Sequence, residues 1–168
     1  MLNNILKNMN LFVDGRGFAG NVEEINLPKL TTQTEEFRGG GMDAPLEVDL
    51  GMEALVTDFK LTSFDAEVLK LYGLLTGQFK ALTVRGAIED ELSGEVKPVV
   101  INMQGRIKEV DYGTWKAGEK AVLSCMLALS YYKLQVDGND IHEVDVPNIT
   151  RIIDGVDQLA DRRAALGI

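Results

Sequence analysis

The chain has 168 residues, enough for one domain with a substantial core but too few for two independent domains. A net charge of -9 at pH 7 argues against a surface that grips nucleic acid, because such surfaces need clustered lysine and arginine. The apolar fraction of 45% argues against disorder, and no apolar run is long enough to span a membrane. The first ten residues lack the features of a secretory signal, and the single cysteine excludes an internal disulfide.

The N-terminal region is predicted to form β-structure. Residues 8–14 are a short, mostly apolar run that ends in the glycine-rich sequence at 14–17. Residues 18–30 resume with alternating polarity. We interpret these two runs as the strands of a hairpin that is joined by the glycine-rich turn.

Residues 31–45 differ from their surroundings because they are polar and contain three successive glycines. An excursion of this length inside a compact domain is usually functional or disordered. The glycines do not form a phosphate-binding loop, because no Lys-Ser/Thr pair and no helix start follow them. We expect a flexible arm that becomes ordered on contact with a partner.

Residues 46–61 are predicted to form one strand, with Leu55, Thr57, Phe59 and Leu61 on a single face. A short helix should follow. Its N-cap is predicted at Ser63 and its end at Gly77, with an apolar stripe of Val68, Leu69, Tyr72 and Leu75.

The remainder of the chain is again mainly β. Strands are predicted at 80–89 and 95–110 around an acidic turn, then at 121–136 and 141–152 around the turn at 137–140. A C-terminal helix is predicted at 157–166. The sum is six to eight strands and two short helices in one domain spanning 1–168. This is a mainly β, β-dominated α+β fold of antiparallel sandwich or barrel type.

No residue is nominated for catalysis, cofactor binding or metal binding. His142 is the only histidine and is expected to be exposed, and Cys125 lies in an apolar stretch and is interpreted as a buried, inert thiol. The turn at 137–140 lacks the glutamate that closes a calcium loop. Glu23 and Glu24 are neighbours on a predicted strand, so they face opposite sides and make a poor acid–base pair.

Two groups of residues are instead candidates for self-association. The first is the proposed inter-subunit arm at about 31–45, with Thr34, Phe37, Arg38, Gly39, Gly40, Gly41 and Met42. The second consists of charged residues that could dock against a neighbouring copy or face a lumen, namely Asp90, Glu91, Arg162 and Arg163. For the arginines, a solvated helix face is an equally good interpretation.

Several segments together resemble the major tail tube proteins of contractile-tailed phages, and in particular the tube proteins of R-type pyocins. The similarity covers nearly the whole chain in order and spacing, which makes it more specific than any single motif. The matching segments are LPKLT at 27–31, FRGGGM at 37–42, PLEVDLG at 45–51, MQGRIKE at 103–109, YKLQVDG at 132–138 and residues 148–168 with Arg162-Arg163.

The resemblance implies a structural, non-enzymatic subunit. Six copies would form a ring in which the strands join one continuous barrel, and rings would stack into a tube. Implied partners are further copies of the chain, sheath, baseplate, tape-measure and tail terminator proteins, passing DNA without specific binding, and the target cell envelope. The implied location is a virion tail or an extracellular bacteriocin particle that is assembled in the bacterial cytoplasm.

Two alternatives stay open at the level of sequence. A ring-forming protein of type VI secretion systems would share the fold. A monomeric ligand-binding barrel of lipocalin type would also be acidic, β-rich and confined to one domain, with an apolar interior pocket.

Overall fold

The computed structural model describes residues 4–73 and 75–168. Within them lie twelve strands and two helices, so the prediction of two short helices is confirmed and six to eight strands was too few. The strands are β1 (Ile5–Val13), β2 (Arg16–Gly17), β3 (Val22–Asn26), β4 (Thr32–Phe37), β5 (Leu46–Met52), β6 (Val56–Leu61), β7 (Lys80–Glu89), β8 (Val96–Asp111), β9 (Leu123–Val136), β10 (Asn139–Asp145), β11 (Thr150–Ile153) and β12 (Val156–Asp157). The helices are α1 (Ala66–Leu69) and α2 (Ala160–Leu166).

Ten strands form one antiparallel sheet in the order β12-β11-β10-β9-β8-β7-β1-β2, with β6 and β3 attached beside β9. One edge of β9 is divided between two partners. Residues 123–128 pair with β6, and residues 131–136 pair with β10. The other edge of β9 pairs with β8 over nearly its whole length. The long β8–β9 pair therefore runs through both halves of the sheet, as expected for a sandwich or barrel-like antiparallel fold.

A glycine permits the first of two register shifts in the β8–β9 pair. The register shifts between Gln104 and Gly105. A Cβ atom on Gly105 would lie 2.3 Å from the carbonyl oxygen of Ala128 and 2.9 Å from a methyl carbon of Leu129. Only glycine allows the two backbones to approach so closely.

Both halves of the sheet contribute to one hydrophobic core. The inward face of β6 is as predicted, because Leu55, Thr57, Phe59 and Leu61 are all at most 3% exposed. The Thr57 hydroxyl donates a hydrogen bond to the carbonyl oxygen of Asn26 at 2.8 Å, which satisfies its buried polar group. Cys125 is also buried, and burial raises the pKa of its thiol to about 11, in agreement with an inert role.

The predicted N-terminal hairpin is wrong beyond its turn. Only the two residues of β2 pair with β1, and β3 pairs with β6 instead. The chain is diverted at Phe18, whose side chain is 3% exposed and whose backbone N–H donates to the carbonyl oxygen of Leu11. Burial of this ring in the core outweighs continuation of the hairpin.

The first helix is shorter than predicted, and its N-cap is Asp65 rather than Ser63. The Asp65 carboxylate accepts hydrogen bonds from the backbone N–H groups of Glu67 and Val68 at 2.8 and 3.3 Å. Helical structure ends after one turn, before Gly73 at φ +82°. Tyr72 and Leu75 are 58% and 73% exposed, so the predicted apolar stripe does not extend to them.

The predicted strand at 141–152 is divided into β10 and β11. The break follows Asp145, whose carboxylate accepts hydrogen bonds from the backbone and side-chain nitrogens of Asn148. Pro147 cannot donate to a ladder, which favours a break at this point. The C-terminal helix begins at Ala160 and not at residue 157, because Asp157 belongs to β12, and it ends at Gly167 with φ +77°.

Candidate assembly surface

Residues 31–45 are not the unpatterned flexible arm expected from the sequence. Thr32–Phe37 pairs with Leu46–Met52 as a separate two-stranded antiparallel sheet, which we call the β4–β5 hairpin. The predicted long strand at 46–61 is correspondingly interrupted at residues 53–55. The sequence of β4 concealed the hairpin because only its partner strand alternates clearly between apolar and acidic residues.

One face of the β4–β5 hairpin is apolar. Phe37 lies directly opposite Leu46, and Glu35 lies opposite Val48. Alternation along β5 places Leu46, Val48 and Leu50 on the same face. The face is largely uncovered in the single chain, with exposed fractions of 58% for Phe37, 59% for Leu46, 41% for Val48 and 54% for Leu50. We call this set of four residues, together with Glu35, the apolar face of the hairpin.

The other face of the hairpin is polar and acidic. Thr34 lies opposite Asp49, and Glu36 lies opposite Glu47. Like charges that are directly opposed across two strands destabilise the pair unless water or a cation screens them. The outer part of this face, at Glu36 and Glu47, is therefore suited to solvent, whereas burial would stabilise the side chains of the apolar face.

The tip of the hairpin is a compact turn built from the predicted arm residues. Arg38 Nε donates to the carbonyl oxygen of Met42 at 3.2 Å, and Met42 N–H donates to the carbonyl oxygen of Gly39 at 3.2 Å. Gly41 has φ +89°, a conformation that side chains rarely adopt. The three glycines therefore serve chain reversal between two strands.

The base of the hairpin is fixed to the main sheet. Glu53 N–H donates to the carbonyl oxygen of Thr31 at 2.9 Å. Arg151 on β11 lies 3.9 Å from the carboxylate of Asp49, and its side chain is only 13% exposed. The Arg151 Nε atom is buried without a hydrogen-bond partner among the described residues. The hairpin thus leaves the sandwich from a defined anchor.

A surface groove of about 480 Å³ lies beside this anchor, and we call it the α2 groove. It is bordered by the hairpin base, by the ends of β6 and β9, by the β10–β11 connection and by α2. Most of its lining is apolar, and two of its cations, Lys108 and Arg162, form no ion pair with any described residue. Its apolar lining includes Met52, Leu55, Val56, Leu129, Val146, Ile149, Leu159 and Leu166.

The two adjacent C-terminal arginines have different surroundings. Arg163 donates to the carbonyl oxygen of Ile149 at 2.8 Å and to the carboxylate of Asp157, so it ties α2 to the sheet. The hydrogen bond from Arg163 is the main reason that the pKa of Asp157 is lowered from its usual value. Arg162 is exposed and borders the α2 groove. Of the two, only Arg162 is free to meet another molecule.

Asp90 and Glu91 lie at the β7–β8 turn. The Asp90 carboxylate accepts hydrogen bonds from the backbone N–H groups of Leu92 and Ser93 at 2.8 and 3.2 Å, so it shapes the turn. Glu91 pairs with Lys7 Nζ at 2.6 Å, and both side chains remain substantially exposed. These carboxylates belong to a different hairpin from the candidate arm.

Groups with possible chemistry do not converge in the described residues. His142 is half-buried, not exposed as expected, because β11 pairs beside it, and its Nδ1 atom has no hydrogen-bond partner there. Glu23 pairs with Lys120 and Glu24 with Lys60. No group of three or more His, Cys, Asp or Glu side chains in that part of the chain is placed to hold a metal ion.

Sequence reasoning missed the second strand of the hairpin as part of the site. The signal was present at residues 46–50, where leucine or valine alternates with glutamate or aspartate. It also missed an exposed aromatic group in which Phe64 packs at 5.8 Å from Tyr112 and 5.4 Å from Trp115, between ring centroids. Neither feature carries a catalytic group, and both are contact surfaces by composition.

The β4–β5 hairpin and the α2 groove both present apolar side chains at the surface of the single chain. Residues 3–167 match the model of the family described as "Phage tail tube protein FII". The chain belongs to this family. It is 33% identical over 166 residues to the tail tube protein of Escherichia phage P2, covering 97% of this chain and 96% of the relative. It is 32% identical over 164 residues to the major tail tube protein of Serratia phage KSP20, covering 97% and 95%.

Solved structures show the same fold at much lower sequence identity. A chain of the sheath–tube complex of an extracellular contractile injection system, PVC, matches with a TM-score of 0.60 at 11% identity, over 79% of this chain and 90% of that chain. A chain of the tube-terminating cap of the anti-feeding prophage matches with a TM-score of 0.59 at 14% identity, over 76% and 87%. The resemblance to tail tube proteins is therefore confirmed for both family and fold.

Proposed function

We propose that this tail tube family member is a structural subunit of the inner tube of a contractile tail or an R-type pyocin. Six copies form a ring, and rings stack into a hollow cylinder. The observation that carries the proposal is the β4–β5 hairpin, because a chain of this family exposes a whole apolar face on a projecting ribbon. The role is mechanical and requires neither a cofactor nor catalytic residues.

Energetics supports a partner for the hairpin. A two-stranded hairpin is at best marginally stable in water without a third strand or a packing surface. Fully burying a leucine, valine or phenylalanine side chain contributes about 1.5–3 kcal/mol. Four such side chains on one ribbon would stabilise an interface between copies at each repeat of a tube. The arm residues Thr34, Phe37, Arg38, Gly39, Gly40, Gly41 and Met42 then belong to an inter-subunit element.

The edge of the sheet supports closure into a ring. Strand β1 lies at this edge. One edge of β1 pairs with β7 along its length, whereas its other edge pairs with β2 only at Phe12 and Val13. The remaining backbone donors and acceptors of that edge have no partner strand within the described chain. Pairing such edges between neighbours gives a continuous barrel and removes the hazard of an open edge.

The wider partners follow from the same proposal. The tube would contact sheath, baseplate, tape-measure and tail terminator proteins inside a virion tail or an extracellular particle, after assembly in the bacterial cytoplasm. Six chains at -9 carry a charge of -54 per ring. A lumen that is lined by part of this charge would repel phosphates, so DNA would slide without specific binding. In a particle without DNA, the tube would breach the target envelope instead.

Electron microscopy of the purified protein tests the core of the proposal. We expect six-fold rings or hollow tubes in negative stain, together with a concentration-dependent high-mass species in sedimentation. A protein that stays monomeric at high concentration, and also fails to enter tubes when sheath and baseplate proteins are co-expressed, would overturn it.

The contribution of the hairpin is tested by replacing its exposed apolar pair. The double variant Phe37→Ser/Leu46→Ser should keep the circular dichroism spectrum and unfolding midpoint of the monomer but abolish tube growth. Glu36→Ser/Glu47→Ser, which places two serines on the polar face, is the matched control and should assemble normally. Normal tube growth of the serine variant would show that the hairpin is not an inter-subunit element.

The lumen role of the β7–β8 turn has its own test. Asp90→Asn/Glu91→Gln removes two charges per chain, and the asparagine can still accept the hydrogen bonds that shape the turn. Tubes should form normally while DNA passage slows or ion conductance changes. Failed assembly, with unchanged transport in the tubes that do form, would assign these carboxylates to docking.

A further inference from the structure

We propose that the α2 groove receives the apolar face of the β4–β5 hairpin from a second copy of the chain, with Glu35 of one copy paired to Arg162 or Lys108 of the other. This inference rests on the proposed tube function and adds the location of the surface that the hairpin occupies.

The groove has the composition of a receiving site. Its lining is mainly aliphatic and comes from the hairpin base, from β6 with β9, from the β10–β11 connection and from α2, while β8 contributes Lys108. Two residues of the lining, Val146 and Leu166, are 57% and 66% exposed in the single chain. Water-exposed apolar walls that already form a depression are a favourable place for another apolar surface.

The charges of the groove are incomplete within one chain. Eleven of the 17 lysines and arginines meet a carboxylate within 4 Å, and Lys108 and Arg162 are among the six that form no ion pair with any residue that the structure describes. The groove lining also includes two carboxylates, Glu53 and Asp145, but with Arg151 its three cations outnumber them, and this balance favours an acidic, apolar occupant.

The apolar face of the hairpin has the complementary composition. It carries Phe37, Leu46, Val48 and Leu50 and one carboxylate, that of Glu35, which forms no ion pair within the described chain. Glu36 and Glu47 lie on the opposite face, because each is adjacent in sequence to a residue of the apolar face. An apolar face with one anion therefore meets a mainly apolar groove in which cations outnumber carboxylates by three to two.

The occupant comes from a second copy because the apolar face of the hairpin extends away from the groove of its own chain. Residues 51–53, at its base, form part of the groove wall. Leu46 is six residues further along the strand, a separation of about 20 Å at the rise of an extended chain. Leu46 and Phe37 are the outermost pair of the hairpin and are more than half exposed in their own chain.

Charge reversal followed by charge exchange tests the pairing. Arg162→Glu, Lys108→Glu and Glu35→Lys should each raise the protein concentration needed for tube growth about tenfold or more, since opposed charges are replaced by like ones. Combining Glu35→Lys with Arg162→Glu or with Lys108→Glu in one chain should restore growth. The matched control combines Arg162→Glu with Glu36→Lys, which places the same new charge on the opposite face and should not restore it.

Two results of this series would overturn the inference. One is normal assembly of all three single variants, and the other is rescue by Glu36→Lys as good as rescue by Glu35→Lys. Thermal unfolding of each monomer shows whether a variant still folds. Either result, with the wild-type protein forming tubes, leaves the proposed function intact; a wild type that never assembles contradicts the function itself.

Disulfide trapping gives an independent test of which copy fills the groove. The native thiol of Cys125 is buried, so introduced cysteines react alone. Val48→Cys/Val146→Cys tubes should give ladders of covalently linked chains on non-reducing gels after mild oxidation. Glu47→Cys/Val146→Cys, with one cysteine on the opposite face, should give few. An internal disulfide within single chains, or no link in normal tubes, would overturn the inference.

Discussion

The sandwich and the β4–β5 hairpin differ in how far their apolar side chains are exposed to solvent. In the sandwich, Phe59 and Leu61 are at most 1% exposed, and the chain covers them with its own strands. On the hairpin, Phe37 and Leu46 are more than half exposed, although these two residues lie directly opposite each other on paired strands. The same residue types therefore stabilise the monomer in one region and are available for an interface in the other.

A matched pair of phenylalanine truncations tests this difference most strongly. Phe59→Ala should lower the free energy of unfolding of the monomer by about 3–5 kcal/mol, because it leaves a cavity in a closed core. Phe37→Ala should change it by at most about 0.5 kcal/mol, as is usual for surface positions. Denaturant unfolding below the assembly concentration measures both. Equal losses would mean that the hairpin is packed within its own chain.

Glycine replacements sharpen the same comparison through the backbone. Gly105→Ala should destabilise the monomer by more than about 2 kcal/mol, because the new methyl group meets the carbonyl oxygen of Ala128. Gly40→Ala, in the hairpin tip, meets no atom within 4 Å and should leave the unfolding midpoint nearly unchanged. A tolerant Gly105 would show that the β8–β9 pair can relax at its irregularity.

Replacing the N-cap of α1 should have an intermediate effect on the stability of the monomer. Asp65→Ala should cost about 1 kcal/mol, since the backbone N–H groups of Glu67 and Val68 lose their acceptor. Ser63→Ala should be neutral or slightly stabilising, because the Ser63 hydroxyl is buried without a partner in the described chain. Thermal unfolding measures both variants. A larger loss of stability in Ser63→Ala than in Asp65→Ala would contradict the assigned cap.

The smallest expected effect concerns the helix that borders the groove. Because the pKa of Asp157 is lowered in the folded chain, its pair with Arg163 stabilises α2 above the ordinary aspartate pKa of about 3.9 and is lost as pH falls through the lower folded value. Carbon chemical shifts of residues 160–166 should move toward coil values in that range. Asp157→Asn should remove this pH-dependent change in chemical shift. A change of the same size in the variant would assign the titration to another group.

Elements with a strong local signal were predictable. The strand at 80–89 was predicted with the bounds that the structure shows, and its acidic turn was placed correctly because Asp90 and Gly94 have the composition of a turn. The turn at Asp137-Gly138 was placed for the same reason, and both residues have positive φ there. The inward face of β6 followed from alternation alone.

Predictions that depended on partners distant in sequence were less successful. A strand within residues 18–30 was predicted, but only the tertiary structure shows that Val22–Asn26 pairs with β6 and not with β1. The arm at 31–45 was located by its polarity and glycines, whereas its strand character depends on pairing with residues 46–52. Ser63 and Asp65 are both good N-caps by type, and the choice between them depends on where Val68 enters the core.

The sequence by itself determined a mainly β domain, the absence of a disulfide and of a multi-histidine metal site, and, through residues spread along nearly the whole chain, the tail tube family. These properties depend on composition, periodicity and chain-long similarity, which need no coordinates. Tertiary structure decided which apolar residues the chain covers and which it leaves exposed. Burial is set by contacts between strands far apart in sequence, so the closed surroundings of Phe59 and the open surroundings of Phe37 are established only in the fold.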